Sequence, residues 1–346
     1  MIYVEEEILG HPRALQIQGR FPDAEVVPCS RYGEIFNRRA QHFRLQKRRP
    51  SLILARKHRG FVQQAPEGFG LAGTRSFLFS HMHNCIYDCR YCFLQGMYRS
   101  AHYVVFINYE DFQWAIEERI RSLHGEPAWF FSGYDCDSLA LEPVTRFAAS
   151  FVPFFARFPA AFLELRTKST QVKSLLDMEP APNVVVAFSL TPEEVAAAVE
   201  RLTPSVDRRI RAMERLQERG WRLGLRFDPL IYGEGYREQY RRLYEQVFGA
   251  VPVESLHSVS LGPFHLPAES FRTMARLYPE DPLLAGPFEE ENGQVGTRRD
   301  LEEEMVGFCR EELLRHIPRE IFHPGLSALP AAPGAETSAP GTELLA

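Results

Sequence analysis
Between residue 75 and about residue 262 the chain alternates short apolar runs with longer amphipathic stretches. The runs are RSFLFS (75–80), AWFFSG (128–133), AFLELR (161–166), VVVAFSL (184–190), RLGLRFD (222–228) and SLHSVSLG (255–262). Their length and their β-branched and aromatic content predict six strands. The stretches between predict helices over 109–123, 141–158, 171–177, 205–219 and 236–248. For the fourth, Thr203-Pro204-Ser205 supplies a cap and a first-turn proline, and Gly220 a terminus. Strand and helix in regular succession imply an α/β fold with a parallel sheet, and six units imply a partial (β/α)6 TIM-type barrel. In such folds chemistry gathers at the carboxyl ends of the strands.

The flanks break this pattern. Residues 1–74, with the apolar SLILAR at 51–56, read as an N-terminal extension packing on the barrel (75–262). Residues 263–324 form an irregular C-terminal region in which FRTMARLY (271–278) and LEEEMVGFCREELLRHI (301–317) predict helices. From Gly325 the chain is rich in Pro, Ala and Ser and poor in large apolar residues, so 325–346 are expected to be a disordered tail.

Composition adds a compartment and a chemistry. With 346 residues, 45% hydrophobic and 25% charged, the chain is ordinary globular material. It has no apolar run long enough to span a bilayer, and its start, MIYVEEEILGHPR, is acidic where a signal peptide is basic; both point away from membranes and to the cytoplasm. A cytoplasmic chain has little use for a disulfide framework, yet three of its six cysteines, Cys85, Cys89 and Cys92, fall within SHMHNCIYDCRYCFLQG. That segment follows the first predicted strand, which is where an active site belongs. The net charge of −5 speaks against wholesale nucleic-acid binding, but ten Lys or Arg and a single acid, Glu34, lie between Arg31 and Gly60. Such a segment either neutralises phosphates or forms a solvated face.

Three thiolates on one loop match three corners of a [4Fe-4S] cube and leave one iron open to a substrate or cofactor. Zinc is the alternative, with His81 or His83 completing a tetrahedron. Cys85-x3-Cys89-x2-Cys92, with Tyr91 before the last cysteine, resembles the signature of radical S-adenosylmethionine enzymes, and CIYDCRYCFLQG is most similar to the loop of spore photoproduct lyases. The resemblance runs through most of residues 80–250 and implies a [4Fe-4S] cluster held by the three cysteines, S-adenosylmethionine as cofactor, and an external electron donor such as a flavodoxin or ferredoxin. It implies UV-damaged, cross-linked pyrimidines in DNA as substrate, Tyr91 as a catalytic residue, and Cys136 in FFSGYDCDSLAL as the hydrogen-atom donor. Ser138, Lys168 and Ser189 match positions that hold S-adenosylmethionine. Arg226 and Asp228 end the fifth predicted strand, where an ionised pair in an apolar run needs partners or a role: Arg226 binds the cofactor, or the two form only a salt bridge.

Two departures bear on the substrate. The tyrosine that follows the third cysteine in the lyases is Phe93 here, which has no hydroxyl hydrogen to relay. The lyases' C-terminal segment rich in Arg, Tyr and Gly has no counterpart, since Gly286 to Glu304 holds seven acids and two arginines. Two other functions therefore stay open: a radical enzyme of the same build acting on RNA or a small metabolite, and a zinc-stabilised nucleic-acid-binding module without catalysis.

Overall fold
The computed structural model describes residues 1–66, 69–70 and 74–324. Six strands, β1 (Arg75–Phe79), β2 (Ala128–Ser132), β3 (Ala161–Thr167), β4 (Val184–Ser189), β5 (Arg222–Leu230) and β6 (Leu256–Pro263), lie side by side in chain order. Every neighbouring pair among them is parallel. Successive parallel strands of this kind come from right-handed crossovers that place each connecting helix on one face. The six-unit partial barrel expected from the sequence is the observed core. β2 and β4 are buried at every residue, which is why they read as continuous apolar runs without alternation. The outer edge of β6 is covered by the C-terminal segment, where Val259 bridges Phe322 and its carbonyl accepts from the His323 amide at 2.9 Å.

The helices depart from expectation in detail. The stretch 141–158 splits into Glu142–Thr145 and Phe147–Phe155, because Arg146 between them adopts a left-handed conformation (φ 52°). A helix at Glu193–Val199 fills a segment in which none was predicted. The expected tail from residue 325 lies outside the described residues.

The N-terminal extension does more than cover the barrel. Ile2–Glu5 pairs in parallel with Val26–Cys29 on one side and Leu52–Ala55 on the other, and Leu52–Ala55 then pairs with Tyr103–Phe106. Met82–His83, just after β1, joins Tyr103–Phe106 in antiparallel fashion. The extension thus builds a second sheet around both ends of the segment that carries the three cysteines.

Inside the barrel, Glu164 of β3 reaches across to Arg226 of β5, with Oε2 to Nη2 at 2.7 Å and both side chains 1% exposed. The guanidinium also donates to Ser258 Oγ (2.8 Å) and Ser258 O (3.1 Å) on β6, and Arg166 Nε reaches Glu164 Oε1 at 3.0 Å. Gly224 makes room for this crossing, since a Cβ there would lie 3.0 Å from Ala187 Cβ and from Arg226 Nη2. Burial raises the Glu164 carboxyl, but Arg226 and Arg166 outweigh it and hold the group at about 2 against an ordinary 4.5. The folded-state value lies below the unfolded one, so the pair's contribution is complete above pH about 4.5 and is lost as pH falls toward 2. Removing Arg226 leaves the buried Glu164 carboxylate with Arg166 alone: Arg226→Met is expected to cost about 3 kcal/mol in urea unfolding at neutral pH. The deficit relative to wild type should shrink on acidification through that interval.

Candidate active site
The segment after β1 has little regular structure, so its shape depends on side chains and on borrowed strand partners. Asn84, in the left-handed region (φ 66°), donates from Nδ2 to Ser100 O and His102 O, both at 2.8 Å. Asp88–Cys89 pairs with Glu200–Arg201, and the Arg90 amide reaches Val199 O at 2.8 Å. The Arg90 guanidinium, 3.8 Å over the Tyr278 ring, bridges Asp88 (2.7 Å) and Asp281 (3.0 Å). Gln95 donates to Asp88 Oδ1 and Cys89 O, and Lys47 Nζ, from the basic segment, donates to Cys85 O (2.8 Å) and Tyr87 O (3.1 Å). A loop whose carbonyls and carboxylates are held this closely keeps its sulfurs in fixed positions.

Cys85, Cys89 and Cys92 line one cavity of about 480 Å³ at the carboxyl ends of the strands. Its other walls include Cys136 and Asp137 after β2, Thr167 and Lys168 at the end of β3, Ser189 ending β4, and Asp228 of β5. The cavity is of a size that takes small-molecule cofactors. Burial pushes the three thiols up, Cys85 to about 12, with Lys168 and Lys47 opposing only in part. Buried thiolates in such a place need a bound cation to become stable. Three thiols on one loop, around a cavity with room beyond them, suit three corners of an iron-sulfur cube and leave the fourth iron to a cofactor.

Cys136 is buried, and its Sγ lies 4.0 Å from His81 Nδ1. Burial, with the charges of nearby Cys85, Asp135 and Asp137, raises this thiol well above its usual range, so it carries its hydrogen at neutral pH. His81 is stacked on Phe147 at 3.9 Å between ring centroids, and burial lowers it to about 3, so it stands beside the thiol as a neutral ring.

Of the residues expected at the cofactor, Lys168 and Ser189 face the cavity and two do not. Ser138 lies behind the wall: its Oγ shares a 2.8 Å hydrogen bond with Ser132 Oγ, donates to Ser132 O at 3.0 Å, and its amide meets Arg166 O. It fixes the turn at Gly133 (φ 81°), where any Cβ would lie 2.6 Å from that hydroxyl. Arg226 is turned into the barrel by Glu164, as described above, and its neighbour Asp228 takes the cavity wall instead, accepting from Ser260 Oγ at 2.8 Å. Tyr91 lines the cavity with its ring, but its hydroxyl donates to buried Glu200.

Sequence reasoning missed two acids. Asp137 accepts from Thr167 Oγ1 (2.7 Å) and from the amides of Lys168 (2.7 Å), Leu139 (2.9 Å) and Ala140 (2.8 Å), and so clamps the β2 loop to the β3 loop. Its place one residue after Cys136 was the available signal. Glu200 accepts from Tyr91 and from Arg209 Nη2 (2.5 Å) and lies 4.0 Å from Lys168 Nζ. Burial raises its carboxyl, and Lys168 and Arg209 overcome this to hold it low. No sequence pattern marked it. Phe93 and Tyr134 both line the cavity, with ring centroids 5.2 Å apart.

Comparison with known proteins gives a consistent picture. The family model described as spore photoproduct lyase matches residues 77–280. The spore photoproduct lyase of Bacillus subtilis (strain 168) is 23% identical over 266 residues, covering 75% of this chain and 76% of that protein. That of Geobacillus sp. (strain Y412MC61) is 24% identical over 164 residues, 47% of this chain and 48% of the relative. Among solved structures, a spore photoproduct lyase variant with bound AdoMet and dinucleoside spore photoproduct superposes with a TM-score of 0.79 at 18% identity, covering 94% of this chain and 97% of the other. The lyase complexed with dinucleoside spore photoproduct gives 0.77 at 17% identity over the same shares. At such identities the structural likeness concerns the fold.

Iron content tests the assignment of the three thiols. After anaerobic reconstitution the wild type is expected to hold about four iron ions and a brown chromophore. Cys85→Ala, Cys89→Ala and Cys92→Ala should each lose most of both, while Cys136→Ala keeps them. A colourless wild-type protein carrying zinc would overturn the assignment.

Proposed function
The chain belongs to the spore photoproduct lyase family, and we propose that it repairs cross-linked pyrimidines in UV-damaged DNA as a radical S-adenosylmethionine lyase with Cys136 as hydrogen-atom donor. The observation that carries this reading is that the three-cysteine loop and the Cys136 thiol face one cavity at the strand ends. A [4Fe-4S] cluster and S-adenosylmethionine together supply, when bound, a 5′-deoxyadenosyl radical that removes a hydrogen atom from the cross-link.

The protein's own part is to bind, orient and quench. Lys168, held 4.0 Å from Glu200 and 5.5 Å from the Tyr91 ring centre, offers its ammonium to the methionyl carboxylate. Ser189, at the end of β4, offers a hydroxyl to the same cofactor. Asp137 fixes the backbone from which Lys168 projects, through its bond to the Lys168 amide. Ser138 and Arg226 act one step further out, by shaping the turn and the strands behind the wall. Tyr91, anchored through its hydroxyl to Glu200, serves as a platform under Lys168.

Once the cross-link has opened, the Cys136 S–H bond breaks homolytically, a C–H bond forms on the product, and the thiyl radical left on Cys136 is returned to the thiol by one electron from the external donor and a proton. The thiol is suited to this because it is buried, stays protonated and has the neutral His81 ring beside it. A lesion must leave the base stack to reach the cavity, at a cost that is smallest for an already damaged step. Electrons for the reaction come from an external donor of the flavodoxin or ferredoxin kind, and the protein acts in the cytoplasm, where its DNA substrate lies. No described helix is long and apolar enough to cross a membrane.

Phe93 and the acidic strand Phe288–Glu291 favour a second reading, in which the same chemistry serves a small metabolite rather than a polyanion. Incubation of the reduced enzyme with S-adenosylmethionine and UV-irradiated DNA decides between them. Repair should return thymine that is absent from the untreated control, and a clean negative in an enzyme that still cleaves S-adenosylmethionine would move the assignment to the second reading. Cys136→Ala should leave S-adenosylmethionine cleavage within about twofold of wild type while diverting the repaired product to other adducts. An unchanged product distribution would falsify the donor role.

A further inference from the structure
The ten basic residues between Arg31 and Gly60 separate by what they touch. Arg31 pairs with Glu7 (2.9 Å), Arg44 with Glu280, and Arg56 with Asp111 (3.0 Å). Lys47 is committed to the carbonyls of Cys85 and Tyr87, Lys57 lies over the Phe106 ring, and Arg38 donates to Glu34 O. Arg39, Arg48, Arg49 and Arg59 are exposed and have no acidic partner among the described residues.

Two of the four, Arg48 and Arg49, follow directly on Lys47 at the end of the helix Phe43–Arg48, so one short helix presents its cation to the cluster loop and its next two outward. The helix rests on the segment just past the cysteines, where the Ala101 amide meets Gln46 Oε1 at 3.0 Å. That segment carries Arg99, which is also exposed and without an acidic partner among the described residues. It also carries Met97, 50% exposed, and the helix carries Leu45, 55% exposed. On another part of the cavity rim His265 belongs to a strand that pairs with the hairpin bearing Glu289, Glu290 and Glu291, of which Glu290 pairs with Arg272 (3.0 Å) and Glu291 lies 3.9 Å from Arg299.

We propose that the helix Phe43–Arg48 together with residues 97–99 is the surface that tracks the phosphates of duplex DNA beside an extruded lesion. Arg48, Arg49 and Arg99 neutralise phosphates, and Leu45 and Met97 fill the space a departing base leaves in the stack, as exposed apolar wedges do on other DNA-bending surfaces. Charge complementarity selects the polyanion, and the link from Lys47 to the cluster loop places it beside the cavity. The inference rests on the proposed DNA substrate and concerns where the duplex lies, not the chemistry.

Salt-dependent binding of the full-length reconstituted enzyme to UV-irradiated duplex DNA tests it. The triple variant Arg48→Gln/Arg49→Gln/Arg99→Gln is compared with Arg208→Gln/Arg215→Gln, which removes exposed charge from the helix Val206–Glu218 on the outside of the barrel. In the triple variant the slope of log K against log salt should shrink by about 0.9 for each phosphate no longer neutralised, with binding weaker by about tenfold or more at low salt. Turnover of a dinucleoside photoproduct, which has no flanking duplex, should stay at the wild-type level. A slope equal to that of the control variant overturns the proposal, and so does a larger effect on an RNA duplex of the same sequence. If wild type converts neither irradiated DNA nor the dinucleoside, the proposed reaction fails, and the salt slope still decides the surface.

Discussion

Ionised groups taken out of water must find a partner, and at the strand ends of this barrel nearly every partner comes from a different segment of chain. Arg90 on the cysteine loop is gripped by Asp88 and by Asp281 from the C-terminal region. Glu200 gathers Tyr91 from the loop, Arg209 from the following helix and Lys168 from the end of β3. Asp137 ties the β2 loop to the β3 loop, and Glu164 ties β3 to β5. Each acid acts as a staple whose two ends are distant in sequence. The demand for charge pairing, rather than any regular backbone pattern, therefore sets where the cavity walls stand.

The same demand explains the rigidity of a loop that would otherwise be soft. The three cysteines lie in a stretch with only two-residue strand fragments of its own, yet their carbonyls and flanking side chains are held from four directions. A cluster needs ligands already near their final positions, because ordering a flexible loop at binding would cost conformational entropy. The N-terminal extension contributes directly, through Lys47 and through the sheet that includes Met82–His83. One sheet accordingly runs across the boundary that the sequence pattern places at residue 74.

Cys136 and His81 illustrate a different use of burial. Neither is paired with a charge, and for both the dry surroundings favour the neutral form. A thiol kept as S–H in a largely aliphatic recess is suited to hydrogen-atom transfer and poorly suited to nucleophilic attack, which needs the thiolate. Cys85, Cys89 and Cys92 line the same cavity but stand within the reach of two lysines, where a bound cation can offset the loss of their protons.

The architecture was legible in the chain because apolar periodicity is local: each of the six strands is a run that can be read without knowing its neighbours. The cysteine spacing was legible for the same reason, since all three thiols come from one loop; Lys168 and Ser189 were implied by the likeness to the lyases, and both line the same cavity. What the chain alone did not disclose were the choices made between distant segments. Arg226 ends an apolar run and reads as a cavity residue, yet Glu164, sixty-two positions earlier in the chain, draws it into the barrel. Ser138 reads as a cofactor hydroxyl, yet Ser132 claims it. Glu200 bears no local mark at all and becomes central only where three segments meet. Local pattern fixes which face of an element is buried, but the partner of a buried polar group is settled only when the chain has brought every candidate within reach, because hydrogen bonds and ion pairs act over a few ångströms in space and are indifferent to separation in sequence.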